Sequence, residues 1–277
     1  MKHVVFLIII RLIEVALRFL RLNTPGRIKS ELLSRIQPVA KVSRNGQDYW
    51  IDCPNALTRW RAQTFFTKEP DTLAWIESFA PGDVLFDIGA NIGLYSVYAG
   101  RLGHQVLAFE PEAQNLGLLN RNIHLNGLSE WVKAYGVGLT DSYAKDNLQL
   151  SVLQAGGALH NVGEAVDWRQ VAFTPVHEQG VITYSLDRFL SDFPDAFPQH
   201  IKIDVDGAES RIVSGAEKTF ADPRLRSVLI ELNIAIGIDA AVVTTLENHG
   251  FTLTGKANSP LAAGDHMTAL NHIFTRA

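Results

Sequence analysis

Residues 84–93 read Val-Leu-Phe-Asp-Ile-Gly-Ala-Asn-Ile-Gly, and residues 106–111 read Val-Leu-Ala-Phe-Glu-Pro. Each is an apolar run that ends in an acid, Asp87 and Glu110, and between them lie a glycine-spaced turn and a segment of helical character. That order spells a β-turn-α-β unit. Its two carboxylates fall at the carboxyl ends of neighbouring strands, where open α/β sheets bind their ligands. Gly89 and Gly93 would let the backbone pass close to a ligand without a Cβ in the way. Glu110 follows Asp87 by 23 positions, the separation at which such a unit sets an acid on a ribose. The expected ligand is therefore a nucleoside.

The glycine spacing narrows the choice. A dinucleotide fold uses Gly-x-Gly-x-x-Gly because a pyrophosphate must sit on the helix N-terminus. Here the pattern is Gly89-x-x-x-Gly93, with Asn91 in place of the middle glycine and Asp87 just ahead of it. An acid at the mouth of the first strand would repel a pyrophosphate but suits a cationic amino-acid group. S-adenosylmethionine carries an ammonium, a sulfonium and a ribose diol, which matches this layout. On that reading Glu110 accepts from both ribose hydroxyls. Asp87 orients the loop and meets the amino-acid end, directly or through water. Asn91 either caps the following helix or contacts the cofactor. Asp141, just past the third strand, is either an adenine contact or a plain turn aspartate.

A third motif joins these two. Asp87-Ile-Gly-Ala-Asn-Ile-Gly93, Phe109-Glu-Pro111 and Ile201-Lys-Ile-Asp-Val-Asp-Gly-Ala-Glu209 together resemble the FkbM-type S-adenosylmethionine-dependent methyltransferases, over about Leu73 to Asn233. The first two motifs are shared by many methyltransferases, whereas the third is more specific to this family. Asp206 stands where glutamate is more usual, keeping the charge on a shorter arm. The resemblance implies O-methylation of a hydroxyl on a small natural product, sugar or glycolipid. An NAD-type oxidoreductase and a non-catalytic relic of the same fold are the alternatives. The missing middle glycine counts against the first, and intact Asp87, Glu110, Asp204 and Glu209 against the second.

Lys202, Asp204 and Asp206 alternate with Ile201, Ile203 and Val205, so a strand would place the charges on one side. Charges on a central strand need partners, because an unpaired buried one costs several kcal/mol. A structural Lys202–Asp204 pair would satisfy that. On the functional reading these carboxylates face the transferred methyl, and Asp204 or Asp206 takes the proton of a substrate hydroxyl. An alkyl alcohol is a very weak acid, which leaves two aids: a histidine base (His160, His177 or His200), or a metal that acidifies the hydroxyl. Asp204, Glu231 and Asn233 would give hard oxygen donors suited to Mg²⁺.

At 277 residues, 47% of them hydrophobic, the chain is long enough for one α/β domain and an extension. A net charge of −4 argues against a grip on nucleic acid. A lone cysteine, Cys53, permits no internal disulfide and fits a cytoplasmic setting. Val4 to Ile10 is an unbroken apolar run, but Arg11 interrupts it well short of the ~20 residues of a transmembrane span. Wound as a helix, residues 1–22 place Arg11, Glu14, Arg18 and Arg21 within roughly 80° on an otherwise aliphatic surface. Such a helix either docks on the protein's own body or lies on the inner face of a membrane.

The expected organisation is an N-terminal extension over 1–70, followed by a catalytic domain over 71–277 with an insertion at about 140–183. The extension holds the amphipathic helix, a short helix Ile28–Ile36, a hairpin around Asn45-Gly46 and a helix Leu57–Phe66. In the domain, seven segments read as strands, the third spanning about Trp131–Leu139 and the fourth His200–Val205, with a single helix Gly207–Phe220 after the fourth. The last two strands, joined without a helix, fit an antiparallel closure. The expected fold is thus α/β, a Rossmann-like class I methyltransferase fold with a seven-stranded, mostly parallel sheet and an antiparallel last strand. The insertion carries β-like pieces at Leu148–Val152 and Val171–Val176 and could form a lid on the acceptor side.

Overall fold

The computed structural model describes residues 38–166, 171–232, 237–257 and 270–276, together with positions 11, 12 and 15. The expected helix Ile28–Ile36 and most of the expected helix over 1–22 lie outside these; positions 11, 12 and 15 are helical, with Leu12 and Val15 exposed. Among the described residues no helix is long and apolar enough to cross a membrane.

From Val39 on, the chain opens with a hairpin, β1 (Val39–Arg44) and β2 (Gln47–Asp52). Asn45 and Gly46 turn it with φ of 52° and 77°, the positive values that a two-residue hairpin turn needs. Helix α1 (Ala56–Lys68) starts from a capping box: the Asn55 side chain accepts the Thr58 N–H while the Thr58 hydroxyl accepts the Asn55 N–H. Helix α2 (Pro70–Glu77) begins on Pro70, whose missing N–H costs nothing there.

The alternation then runs β3 (Val84–Ile88), α3 (Leu94–Arg101), β4 (Gln105–Phe109), α4 (Ala113–Leu125), β5 (Val132–Tyr135). An excursion follows through β6 (Gly138–Thr140), β7 (Ala144–Leu150), β8 (Asn161–Val162) and β9 (His177–Ser185). The chain closes with α5 (Leu186–Asp192), β10 (His200–Ile203), α6 (Glu209–Ser214), α7 (Glu217–Ala221), β11 (Ser227–Leu232), α8 (Gly237–Asn248), β12 (Phe251–Ala257) and β13 (Leu270–Arg276). The main sheet has seven strands in the order β12-β13-β11-β10-β3-β4-β5, and β13 alone runs antiparallel to its neighbours. Strand order reverses between β3 and β10, and the carboxyl ends there form the crevice that such sheets use for ligands.

Residues one apart on a strand bury into opposite cores. Phe86, Ile88, Ile201, Ile203, Val228 and Ile230 enter the layer under α5–α8, whereas Leu85, Val106, Ala108 and Leu229 enter the layer under α1–α4. Tyr49 of the hairpin and Phe65 of α1 pack into the second of these.

Four sequence expectations need correction. The third strand does not run through to Leu139: the chain leaves the main sheet after Tyr135, and β6 belongs to a separate four-stranded sheet, β6-β9-β7-β8. Gly136 marks the turn, where a Cβ would lie 2.7 Å from Leu116. Val171–Val176 forms no strand, because Pro175 removes a ladder donor; the strand starts at His177. The fourth strand stops at Ile203. The helix after it is two short ones, interrupted where Gly215 passes so close to Thr140 that a Cβ would lie 2.4 Å from its carbonyl oxygen.

At the opposite, amino-terminal edge of the sheet a buried hydrogen-bond chain joins three strands. The Trp75 Nε1–H donates to Ser227 Oγ at 2.9 Å, the Ser227 hydroxyl donates to His200 Nδ1 at 2.6 Å, and His200 Nε2–H donates to Asp83 at 3.0 Å. Arg226 closes the chain on Asp83 at 2.9 Å, and Phe79 stacks on the imidazole. This orientation requires a neutral His200, and burial pushes its pKa down to about 4, against the pull of Asp83. A histidine depressed in the folded state favours folding fully above its unfolded pKa and loses that contribution as pH falls toward the folded value. The stability gap between wild type and His200→Gln should therefore narrow by about 2–3 kcal/mol between pH 7.5 and 4.5. Urea titrations at the two pH values measure it; a gap that does not change would mean the imidazole is not held neutral.

Candidate functional site

The carboxyl ends of β3, β4 and β10 open into a cleft. Its floor is the β3–α3 loop with Gly89 and Asn91, one side carries Glu110, and the other carries Asp204 and Asp206. Val137, Leu139, Leu148 and Val162, drawn largely from the second sheet, supply an apolar wall. Segment 151–160 straps across it. Asn91 Nδ2 and Asn115 Nδ2 donate to the Gly157 carbonyl at 2.7 and 3.1 Å, Asn115 Oδ1 accepts the Gly156 N–H at 2.7 Å, and Arg61 Nε donates to the Gly156 carbonyl at 2.8 Å.

Glu110 is buried, and each carboxylate oxygen accepts one backbone N–H: Oε2 from Asn91 at 2.8 Å and Oε1 from Glu112 at 2.9 Å. A carboxylate oxygen can accept twice, so each keeps a lone pair for a ligand. Burial raises Glu110 to about 7, with the charges of Glu112 and Asp206 adding to it.

Asp87 lines no part of the cleft. It is 1% exposed, its Oδ2 accepts the Ser96 hydroxyl at 2.5 Å, and its Oδ1 has no hydrogen-bond partner. The residue lies beneath the loop rather than in the cleft lining. Asn91 does not cap the helix, since the N-cap is Gly93; its amide is spent on the strap and on the Ile92 N–H. Asp141 stays outside the cleft lining and pairs with Arg211 at 3.0 Å. Packing constrains both glycines as well, and Gly89 also lines the cleft. A Cβ on Gly89 would stand 1.9 Å from the Asp204 carbonyl oxygen, and one on Gly93 would stand 2.1 Å from Leu119. Both have φ near 80°, and both answer to the protein's own packing.

After β10 the chain turns sharply. Asp206 has a φ of 61°, unusual for a non-glycine residue. Glu209 holds this turn by accepting the Val205 and Gly207 N–H groups at 3.1 and 2.9 Å. Lys202, Asp204 and Asp206 therefore do not share one strand face. Lys202 is buried and donates to Asp204 at 2.7 Å; burial alone would lower it, but Asp204, Asp87 and Glu69 hold it well up. Asp204, despite burial, is kept low by Lys202 and Lys68. Asp206 is raised to about 6 by burial and by Asp204, and its Oδ2 accepts the Leu159 N–H at 2.7 Å.

His160 lines the cleft. Its Nδ1 accepts the Ser151 N–H at 3.3 Å, so in the neutral ring Nε2 carries the proton. Burial lowers its pKa, and Nε2 is buried without a partner. His177 is exposed on β9, and His200 sits at the far edge of the sheet. Asp204, Asp206 and Glu231 can bring carboxylate oxygens within 4.8 Å of one another. Burial and these neighbouring acids push Glu231 well up. Asn233 lies outside the described residues.

Sequence reasoning missed Asn115, Arg61 and the strap they hold. A signal existed for the first: Asn115, Asn122 and Asn126 repeat at helical spacing along one face of α4.

Gly89→Ala should destabilise the protein by about 2–5 kcal/mol, combining a left-handed backbone cost with overpacking against a main-chain oxygen. Thermal or urea unfolding measures it, and a loss under 1 kcal/mol would mean that the two loops can separate.

The sequence matches the family described as methyltransferase FkbM domain over residues 87–253. The chain is 30% identical to methyltransferase sdnD of Sordaria araneosa over 72% of its length and 85% of that protein's. It is 27% identical to the 31-O-demethyl-FK506 methyltransferase FkbM of Streptomyces tacrolimicus over 66% and 78%. Among solved structures, magnesium protoporphyrin IX methyltransferase from Synechocystis, with bound SAM, superposes with a TM-score of 0.46 at 10% identity, covering 81% of this chain and 86% of that one. The β3–α3 loop, Glu110 and the Lys202–Glu209 turn all fall inside the matched segment, and the chain belongs to the FkbM methyltransferase family.

Proposed function

We propose that this protein is an S-adenosylmethionine-dependent O-methyltransferase acting on a hydroxyl of a small natural product, sugar or glycolipid. The observation that carries the cofactor reading is Glu110: a buried carboxylate with one backbone N–H on each oxygen and one lone pair left on each suits a vicinal diol. The aliphatic wall of Val137, Leu139, Leu148 and Val162 suits a flat base. A relative whose name specifies a 31-O-demethyl substrate supports oxygen as the methylated atom.

Bound S-adenosylmethionine would supply an electrophilic methyl group on a sulfonium. The chain's own residues then have three tasks. Glu110 and the aliphatic wall hold the nucleoside. The strap over 151–160 excludes water, which would otherwise compete with the acceptor. Asp206 is the base: its Oδ2 is occupied by Leu159, leaving Oδ1 to take the hydroxyl proton as the acceptor oxygen attacks in line. Asp204, pinned ionised by Lys202, serves instead to hold Asp206 in the range where a carboxylate can accept a proton. If magnesium takes part, Asp204, Asp206 and Glu231 would hold it, and it would acidify the hydroxyl. The cleft's acidic rim and the net charge of −4 support a small acceptor over a nucleic acid. Buried Cys53 supports a reducing, cytoplasmic setting. A lipid-linked acceptor gains weight if residues 1–22 lie on a membrane.

S-adenosylhomocysteine should bind with a Kd that Glu110→Ala raises roughly ten- to a hundred-fold, while NAD does not bind. Calorimetry on both proteins measures this; absence of binding to well-folded wild type would sink the cofactor reading. With an acceptor in hand, kcat/KM should rise with pH through about 6 and then level, following Asp206. Asp206→Asn should cut kcat about 10²–10⁴-fold and leave homocysteine-product affinity nearly unchanged. An unchanged kcat in that variant would take the base role away from Asp206. Turnover that survives chelation by EDTA would leave the proton to the carboxylate alone.

A further inference from the structure

The strap across the cleft carries one residue whose backbone its side chain does not favour. Among the described residues, the non-glycine residues with positive φ are Asn45, Asn91, Asp206 and Leu159. Asparagine and aspartate enter the left-handed region at little cost, but a leucine there sets its Cβ against the following carbonyl oxygen. Leu159 nonetheless stands at 62°, although the same strap uses glycine at 156, where φ is 81°. Its N–H donates to Asp206 Oδ2 at 2.7 Å, which fixes it there. A glycine or an asparagine would make that bond with less strain, so the bond does not explain the leucine. Packing does not explain it either, because Leu159 is 43% exposed. Its neighbours Ala158 and His160 line the cleft, and Leu159 does not.

Its place beside Asp206 does explain it. The oxygen that holds residue 159 and the oxygen left for the acceptor belong to one carboxyl group. A hydroxyl on Oδ1 therefore brings its own carbon skeleton within reach of the Leu159 side chain. An aliphatic flank would cover apolar surface there. A flank of further hydroxyls would lose water to a side chain that neither donates nor accepts. The carboxylates of Asp204 and Glu231 border Asp206 too, and Leu159 gives this acidic surround an apolar face.

On the O-methyltransferase reading above, with Asp206 as base, we propose that Leu159 sets acceptor specificity. Its side chain packs on aliphatic carbon next to the methylated hydroxyl. The acceptor is an alcohol with an apolar flank, not one hydroxyl among several on a sugar ring. Strain held at this position is then part of the site, since it presents a bulky apolar group where the backbone alone would favour a small or polar one.

The test loads the full chain with S-adenosylhomocysteine and titrates two alcohols that share a six-membered ring, cyclohexanol and methyl glucoside, followed by saturation-transfer NMR. Loaded wild type should bind cyclohexanol and not methyl glucoside. Leu159→Asn keeps the N–H and tolerates the backbone angle. It should raise the cyclohexanol Kd roughly three- to ten-fold, leave the S-adenosylhomocysteine Kd within about two-fold, and not lower the unfolding temperature. Leu159→Met, which keeps an apolar side chain, should retain cyclohexanol binding. Cyclohexanol binding unchanged in Leu159→Asn would overturn the assignment. Equal weakening of S-adenosylhomocysteine would also overturn it, by reporting only a disturbed strap. Loaded wild type that binds both alcohols alike, or neither, would overturn the apolar flank while leaving the cofactor reading in place. If folded wild type does not take up S-adenosylhomocysteine, the cofactor reading fails and this inference falls with it.

Discussion

A lysine buried in the middle of a parallel sheet has to be answered by carboxylates, and at Lys202 the answers come from three separate pieces of chain. Parallel pairing sets Lys202 opposite Asp87 on β3, Asp204 lies two residues on, and Glu69 sits at the junction of α1 and α2. Together they outweigh the burial that would otherwise strip the ammonium of its proton. Removing one partner of such a buried set costs about 3–5 kcal/mol, because the rest is left uncompensated. The register of β3 against β10, the fold of α1 onto the sheet and the acidity of Asp204 therefore depend on one another. The site is built on this knot: Asp204 lines the cleft, and α1 brings Arg61 to the strap across it.

Much of this could be read from the sequence. Apolar runs ending in Asp87 and Glu110 located β3 and β4, and Asn45-Gly46 located the hairpin, because those patterns follow from local backbone and side-chain alternation. What escaped were close approaches between distant segments. Nothing near Gly89 announces that the Asp204 carbonyl will stand where a Cβ would go, and so only the cleft-lining half of this glycine's role can be read from the sequence. Asp206 kept the strand's alternation in sequence, yet Glu209 captures two backbone N–H groups and bends the chain before alternation can continue. Asp87 was legible as an acid at a strand end, but its burial beneath Ser96 depends on α3.

The hairpin and the strap are held by amides rather than apolar packing alone. Asn126 accepts the Trp50 N–H at 3.0 Å and donates to the Trp50 carbonyl at 2.7 Å, in effect pairing β2 as another strand would. Asn122 bridges the Asp52 N–H and the Ile92 carbonyl, at 2.8 Å each. Asn115 does the same for Gly156 and Gly157. Each bond contributes only about 0.5–1.5 kcal/mol net, but a buried amide left unmatched costs about 1–3. Neutral amides suit this place. Charged side chains along the same face of α4 would add to a site already crowded with carboxylates.

That crowding sets which acids can act. Burial disfavours every ionised carboxylate at this sheet edge, and the carboxylates disfavour one another. The cations resolve the conflict unevenly. Asp204, against Lys202 and near Lys68, stays low; Asp206, with less help, rises to about 6; Glu110, with backbone donors and no cation, to about 7; Glu209, enclosed by its own turn, to about 8. Glu231, facing Asp204 and Asp206, is pushed further still. The cleft therefore presents Asp204 held low beside Asp206 and Glu110 raised by burial. A diol donating to Glu110 would favour its ionised form and draw it down, so ribose binding and loss of that proton would be linked. A single added cation would favour ionisation of all five at once. Lys202 and Lys68 act on Asp204 while no cation offsets the burial of Glu110, and that difference keeps the gradient, and with it the distinction between the acid that binds and the acid that takes a proton.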